Sequence, residues 1–381
     1  MRLNFPCNFC KIALISAASM GLPSVLANQE SDNNDESSSE NVTRLEIIQV
    51  SAQKRVENIQ EVPIAITAFD ASELTKIGAQ NVNDLGLYTP GLETNNATAT
   101  QTAFNIRGIT TNDLGIGLDA AVAVYIDGVY VGRRGTSNLN FNDIERVEIL
   151  KGPQGTLFGR NAAAGAIHII TKNPVGDDSA FIDFTFGDHT KRKIAFSGDF
   201  NINSSMSLKP SFVSNHRGGY VDIKDSHKKY GNQRDWSLRT ALLWQAANDV
   251  DVIFRADFND TNQQARPSTT LNTAYGSGDP FAPIEFDFEG LETREAYGAS
   301  AEVNWQLEDL TFTSITAYRA FDRFNAMEDD GSKESRAFFT STLVEQQSQF
   351  SQEFRLSDDQ GDFKWTAGFT YFYEDIEEDV N

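Results

Sequence analysis

Glycines at 152, 155, 159 and 165 crowd one stretch of the chain and invite comparison with a loop that cradles a phosphate. Such a loop needs a Gly-Lys-Ser/Thr ending or a Gly-x-Gly-x-x-Gly spacing, so that amides converge on the anion. Neither is present, and tight turns between strands account for these glycines better. The four histidines, His168, His189, His216 and His227, are scattered without metal-ligand spacing. His168 lies on an apparent strand and reads as a packed histidine. No nucleophile sits in an elbow. The residue types thus point to no catalytic group, no metal ligand and no cofactor. What remains is pairing chemistry. Arg107 and Lys151 are cations in strand-like segments, and Glu353 and Arg355 share the polar face of a later strand. A second feature is the short apolar-rich run Leu45, Glu46, Ile47, Ile48, Gln49, Val50, Ser51. An extended segment of this kind on a flexible leader can add as a strand to a partner's sheet edge through main-chain hydrogen bonds.

The elements around these residues begin with an address. Arg2 and Lys11 supply positive charge, and the apolar run 11–27 ends with Val25 and Ala27 at the −3 and −1 positions of a signal-peptidase site. Residues 1–27 therefore read as a signal peptide, too short and too interrupted by Gly and Pro to span a bilayer. Cys7 and Cys10 both precede the apolar run, so the mature chain carries no cysteine. That excludes disulfides, thiolate metal sites and a cysteine nucleophile, and the position of Cys10 argues against a lipid anchor. The net charge of −22 becomes −24 without Arg2 and Lys11, which makes nucleic acid an unsuitable partner. Residues 28–44 are polar, almost free of apolar groups, and expected to be disordered.

Residues 56–174 form a mixed α/β region. VPIAITAFD (62–70) reads as a strand, and ASELTKIGA as a helical pattern broken at Gly78. NVNDLGLYTPG repeats that pattern up to a Pro90–Gly91 stop. AVAVYIDGVYVG (121–132) is two short strands around an Asp-Gly turn, and 144–152 and 165–174 are further strands. From about residue 179 the apolar and polar residues alternate with period two. In 251–259, Val252, Phe254, Ala256 and Phe258 oppose Asp251, Arg255, Asp257 and Asn259. Nine such segments lie near 179–187, 192–202, 205–216, 235–246, 249–260, 294–306, 309–323, 343–357 and 361–374. Connections after the second, fourth, sixth and eighth are tight; those after the third, fifth and seventh are long and polar. That order is expected of a membrane barrel with short periplasmic turns and long extracellular loops, not of a soluble sandwich.

With these segments in view, the chain resembles the N-terminal part of TonB-dependent outer-membrane receptors. LEIIQVSAQKR (45–55) resembles the TonB box, with 45–51 as its core. FNIRG (104–108), VYIDGVYVGR (124–133) and IERVEILKGPQGTLFGRNAAAGAIHIITKNP (144–174) resemble plug segments, and QFSQEFRLS (349–357) and WTAGFTYFYE (365–374) resemble barrel strands. Small departures are Gln49 where an apolar residue is usual, Ser51 for the commoner threonine, and Lys151 for arginine. The resemblance implies an α+β plug, 56–174, followed by an antiparallel transmembrane barrel, 177–381, in the cell outer membrane. It also implies energised import of a scarce nutrient, most often an iron–siderophore complex, rather than enzymatic activity. TonB would bind at 45–51, outer-membrane lipid would surround the wall, and a small chelated ligand would bind at the extracellular plug apices and loops. Plug cations such as Arg107 and Lys151 are expected to pair with barrel carboxylates, Glu353 being the candidate. A plugged transporter of this kind has about 22 strands, so about 13 are expected to be absent, and 1–381 is not expected to insert and transport alone.

Overall fold

The computed structural model describes residues 2–6 and 49–381, apart from 97, 99, 112–114, 137–139, 225, 267–282, 329–339 and 359–362. The 28–44 leader, Leu45–Ile48 and most of the signal segment lie outside the described residues.

Runs of β-branched residues build a five-stranded plug sheet, ordered Ile66–Asp70, Ile144–Lys151, Gly165–Thr171, Val122–Ile126, Val129–Val131. All neighbours are antiparallel except Gly165–Thr171 with Val122–Ile126. The strands are nearly continuous in apolar character because both faces are covered. Val147, Ile149, Ile167, Ile169 and Val124 pack with Leu74, Leu85, Phe104 and Ile106 on one side. Leu150, Ala166, Ala123 and Tyr125 pack with Val50, Ala52 and Phe158 on the other.

Local chemistry fixes the joints. Asp70 caps the helix Ala71–Ile77 by accepting from the Ser72 and Glu73 amides, while Glu73 reaches back to the Asp70 amide. Gly78, in the left-handed region at φ 70°, closes that helix. At the Asp-Gly turn, Asp127 (φ 49°) and Gly128 (φ 81°) have the paired positive φ angles of a tight hairpin connection. The second helical pattern, over 81–91, becomes a 3-10 helix, Val82–Leu87.

Nine further strands pair in sequence order as one antiparallel wall: Ser179–Gly187, Lys191–Asn203, Met206–Arg217, Gln233–Ala247, Val250–Gln263, Leu291–Leu307, Leu310–Glu328, Thr340–Asp358 and Trp365–Val380. They match the nine expected segments one for one. Connections 204–205, 248–249 and 308–309 are two residues each, whereas 218–232, 264–290 and 329–339 leave the opposite end. Leu238, Phe254, Trp305, Tyr318, Phe354 and Phe369 are exposed on the outer face. Arg319, Phe321, Arg323 and Asn325, two residues apart, are buried on the inner face, where Phe321 meets Gly135 and Arg323 meets Thr98 and Thr100 of the plug. The alternation read from the sequence is therefore apolar outward and polar inward, as a membrane barrel requires.

Arg2–Pro6 pairs antiparallel with Ser179–Gly187, on the free edge of the first wall strand. The signal-peptide reading gives these residues no place in the fold. An unpaired edge offers a row of free amides and carbonyls, and main-chain pairing there accounts for the strand.

Candidate functional site

The first described residues of the main body dock into the plug. Gln49–Val50 pairs antiparallel with Glu57–Asn58, and Val50 and Ala52 are fully buried in the second plug core. Ser51 then meets a buried carboxylate. Its amide donates to Glu148 Oε1 at 2.8 Å and its hydroxyl to the same oxygen at 3.1 Å. Arg146 Nε, two residues along the strand, also donates to Glu148 Oε1 at 2.8 Å. Glu148 has no solvent exposure, and a carboxylate so placed is tolerable only with this set of donors.

His168 lies directly across the ladder from Glu148. Its Nε2 accepts the Gly128 amide proton at 3.1 Å, so the ring proton sits on Nδ1, 3.4 Å from the Ser51 hydroxyl. Burial, followed by the charges of Lys54, Arg146 and Arg355, pulls the His168 pKa down to about 3. The imidazole is neutral.

Three residues after Ser51, the chain reaches the wall. Lys54 Nζ lies 3.3 Å from Glu353 Oε2 and also sits over the rings of Tyr125 and Phe158, at 5.2 and 5.1 Å. Burial holds the Lys54 pKa below its ordinary value although Glu353 opposes the shift, and Arg355 adds to the lowering. Arg355 Nη1 bonds Glu353 Oε1 at 2.7 Å. Residues 51–54 thus bridge the plug's centre and the inner face of the wall, beside a cavity of about 640 Å³.

The sequence-predicted residues fall into three groups. Leu45, Glu46, Ile47 and Ile48 lie outside the described residues. Gln49 is exposed, Val50 is buried, and Ser51 is held by Glu148. Glu353 does face the lumen, but its plug partner is Lys54 rather than Arg107 or Lys151. Arg107 (φ 55°) lies in the turn after Thr102–Ile106, with its guanidinium beside Gly152. Lys151 closes the strand Ile144–Lys151, and its ammonium is held below the ordinary range by partial burial and then by Arg107. Among the described residues neither cation has a carboxylate within ion-pair distance. Geometry gives the reason. Arg146 and Glu148 bring this strand to the Ser51–Lys54 corner, and Lys151 stands five residues beyond Arg146, roughly 16 Å along an extended chain.

The sequence reading missed a second junction between plug and wall. Arg323, 2% exposed, lies 3.4 Å from Glu292 and 3.6 Å from Glu345. Plug residues close the cluster. The Thr100 amide donates to Glu292 at 3.1 Å, Arg323 donates to Thr98 Oγ1 at 3.1 Å, and Gln101 Nε2 donates to Glu345 at 2.9 Å. Further along, Gln349 accepts the Gly132 amide at 2.9 Å and donates to the Tyr130 carbonyl at 2.6 Å. The signal was available. These residues occupy the polar, inward positions of the period-two strands.

At the long-loop end a cavity of about 590 Å³ separates the plug residues around Gln80–Tyr88 from wall residues near Arg217, Tyr230 and Gln264. Among the described residues no cluster of His, Cys, Asp and Glu is placed to hold a metal ion.

Residues 58–166 match the family model of the TonB-dependent receptor plug domain. The pesticin receptor of Yersinia enterocolitica is 31% identical over 123 residues, covering 32% of this chain and 18% of that protein. The ferrichrome outer membrane transporter/phage receptor of Escherichia coli is 24% identical over 208 residues, covering 52% and 26%. The crystal structure of the ferric yersiniabactin uptake receptor of Yersinia pestis superposes with a TM-score of 0.73 at 18% identity, covering 84% of this chain and 49% of that one. The chain thus spans half or less of the length of these relatives.

Proposed function

We propose that the chain, whose residues 58–166 match the TonB-dependent receptor plug domain, is a member of that receptor family and takes part in energised import of an iron–siderophore complex across the outer membrane. Residues 1–27 would direct export, 28–44 would serve as a flexible tether, and 45–51 would be the TonB box. The plug, 56–174, would close the lumen of a barrel begun by 177–381 and surrounded by outer-membrane lipid. Siderophores recur among the relatives, which are named for ferrichrome, ferrioxamine and catecholate siderophores, and this favours an iron chelate over the vitamin B12 of another relative.

One observation carries the reading. The proposed box is tied at its last residue, Ser51, to the buried centre of the plug, and three residues later, at Lys54, the chain is tied to the wall. A pull on residues before 49 is therefore delivered to the plug's interior and not dissipated in a loose linker. Ile47→Pro removes a main-chain donor from any strand formed with a periplasmic partner. The expected result is loss of energised uptake of a labelled ferric siderophore with binding to the cell surface intact. Uptake that survives both this substitution and collapse of the proton-motive force would instead mark a passive barrel.

A further inference from the structure

The cavity at the long-loop end has an unusual charge balance for so acidic a protein. It is lined by four cations, Lys191, Arg217, Arg266 and Arg294, against two carboxylates, Asp84 and Asp235, while the chain as a whole carries −22. The partners of these groups matter more than their number. Arg217 donates to the Gly231 carbonyl at 3.2 Å, Arg266 to the Asn96 carbonyl, and Arg294 to the Gly135 carbonyl at 2.6 Å. Among the described residues none of these three, nor Lys191, forms an ion pair with a carboxylate. The two carboxylates are likewise held by neutral donors. Asp84 accepts the Gln80 amide at 2.7 Å, and Asp235 accepts from Asn140 and Asn215, both at 2.7 Å.

Deeper in the lumen two arginines do meet carboxylates. Arg255 meets Glu302 at 2.7 Å and Arg319 meets Asp257 at 2.9 Å. At the cavity Arg217 and Arg266 rest on carbonyl oxygens instead, while Arg294 has Glu292 and Asp235 acting on it through space. Carbonyl oxygens hold a guanidinium in position without cancelling its charge, so the field in the cavity remains positive and is focused by its walls. Apolar surface accompanies it: Leu87 at the plug apex is 87% exposed, Tyr88 is exposed beside it, and Tyr220 lies under the Arg217 guanidinium at 4.9 Å. The volume of about 590 Å³ suits a small molecule.

We propose that this cavity selects a metal chelate of net negative charge, with oxygen donors and an aromatic or apolar face, over a neutral chelate of similar size. The inference rests on the import reading above and adds the charge class of the ligand. Arg217 and Lys191 are its specificity-determining residues.

The test compares binding of a ferric tris-catecholate, which is anionic, with a ferric trihydroxamate, which is neutral, in outer membranes carrying a full-length receptor that contains this chain. The anionic chelate binds at least tenfold more tightly, and rising ionic strength narrows the gap. Arg217→Gln and Lys191→Gln each weaken the anionic chelate by roughly three- to tenfold and leave the neutral one unchanged. Arg217→Lys keeps the charge and most of the preference. Equal or tighter binding of the neutral chelate, or equal weakening of both by the glutamine variants, overturns the charge inference while leaving iron import standing. Binding of neither chelate overturns the iron reading, and this inference with it.

Discussion

The carboxylate of Glu148 holds the backbone amide of Ser51 at 2.8 Å across 97 residues of sequence, and the same oxygen accepts from Arg146 Nε at 2.8 Å. A strand-forming segment is thereby clipped by its last residue into the middle of the plug. For any partner to pair with Val50 and Ser51, this bond must open and Val50 must leave the core. Glu148→Gln keeps the shape but halves the acceptors and removes the buried one of Arg146's two counter-charges, the other being Glu145, a loss of about 1–3 kcal/mol concentrated on this clip. Hydrogen exchange of the Ser51 amide is expected to accelerate tenfold or more, while amides of Val147 and Ile149 change little. Unchanged exchange at Ser51 would show that the clip does not control the segment.

The link from plug to wall through Lys54 and Glu353 predicts an asymmetry. Lys54→Met gives up the ammonium over the Tyr125 and Phe158 rings but puts an apolar side chain beside them, and it leaves Glu353 paired with Arg355 at 2.7 Å. Glu353→Gln leaves two cations facing each other at a buried corner. The glutamine variant should therefore be the more damaging by about 1–3 kcal/mol, since an uncompensated buried charge costs more than a lost pair. Leak of a bulky antibiotic and the thermal transition of the purified protein both read this order. Equal effects of the two substitutions would mean that the pair contributes through packing alone.

Much of this architecture was legible because it follows from short-range rules. Period-two alternation at Val252–Asn259 placed the wall strands and their facing, and Gly78 and the Asp127–Gly128 turn punctuated the plug where φ must be positive. Pairing between distant segments was not legible. Lys54 lies 299 residues from Glu353 in sequence, and nothing local distinguishes it from Arg55, which bonds Glu57 instead. Arg107 and Lys151 stood out because they sit in recognisable plug segments, but a position in a motif says nothing about which wall carboxylate is within reach. The Arg323 junction was hidden differently. Its members occupy expected inward positions, and their burial arises only when Thr98, Thr100 and Gln101 settle on them.

That junction supports a third expectation. Arg323→Met would leave Glu292 and Glu345 buried together without their shared cation, at a cost of about 3–5 kcal/mol. Arg323→Lys keeps the charge but cannot fork between two carboxylates and the Thr98 and Thr100 hydroxyls, so its effect should be intermediate. Thermal unfolding in detergent should rank wild type, lysine and methionine in that order, and protease access at 98–101 should rise in parallel. A methionine variant as stable as wild type would show that the cluster is not what holds the plug at this level.

His168 adds a dependence on pH whose sign is set by its environment. Burial first, then the charges of Lys54, Arg146 and Arg355, lowers its pKa to about 3, against an ordinary value of 6.5. Between these two values the unfolded chain binds a proton that the folded one refuses. The contribution of a neutral His168 to stability is therefore complete above pH 6.5 and declines as the pH falls toward 3, by up to about 1.4 kcal/mol per unit. In His168→Gln the new amide side chain can still accept the Gly128 amide but has no proton to gain. Urea unfolding midpoints measured from pH 7 to 4.5 should fall more steeply for wild type than for His168→Gln, the two curves converging or crossing as acidity rises. Parallel curves would mean that the imidazole is hydrated and titrates in place, and that the Ser51–Glu148–His168 cluster is open to water.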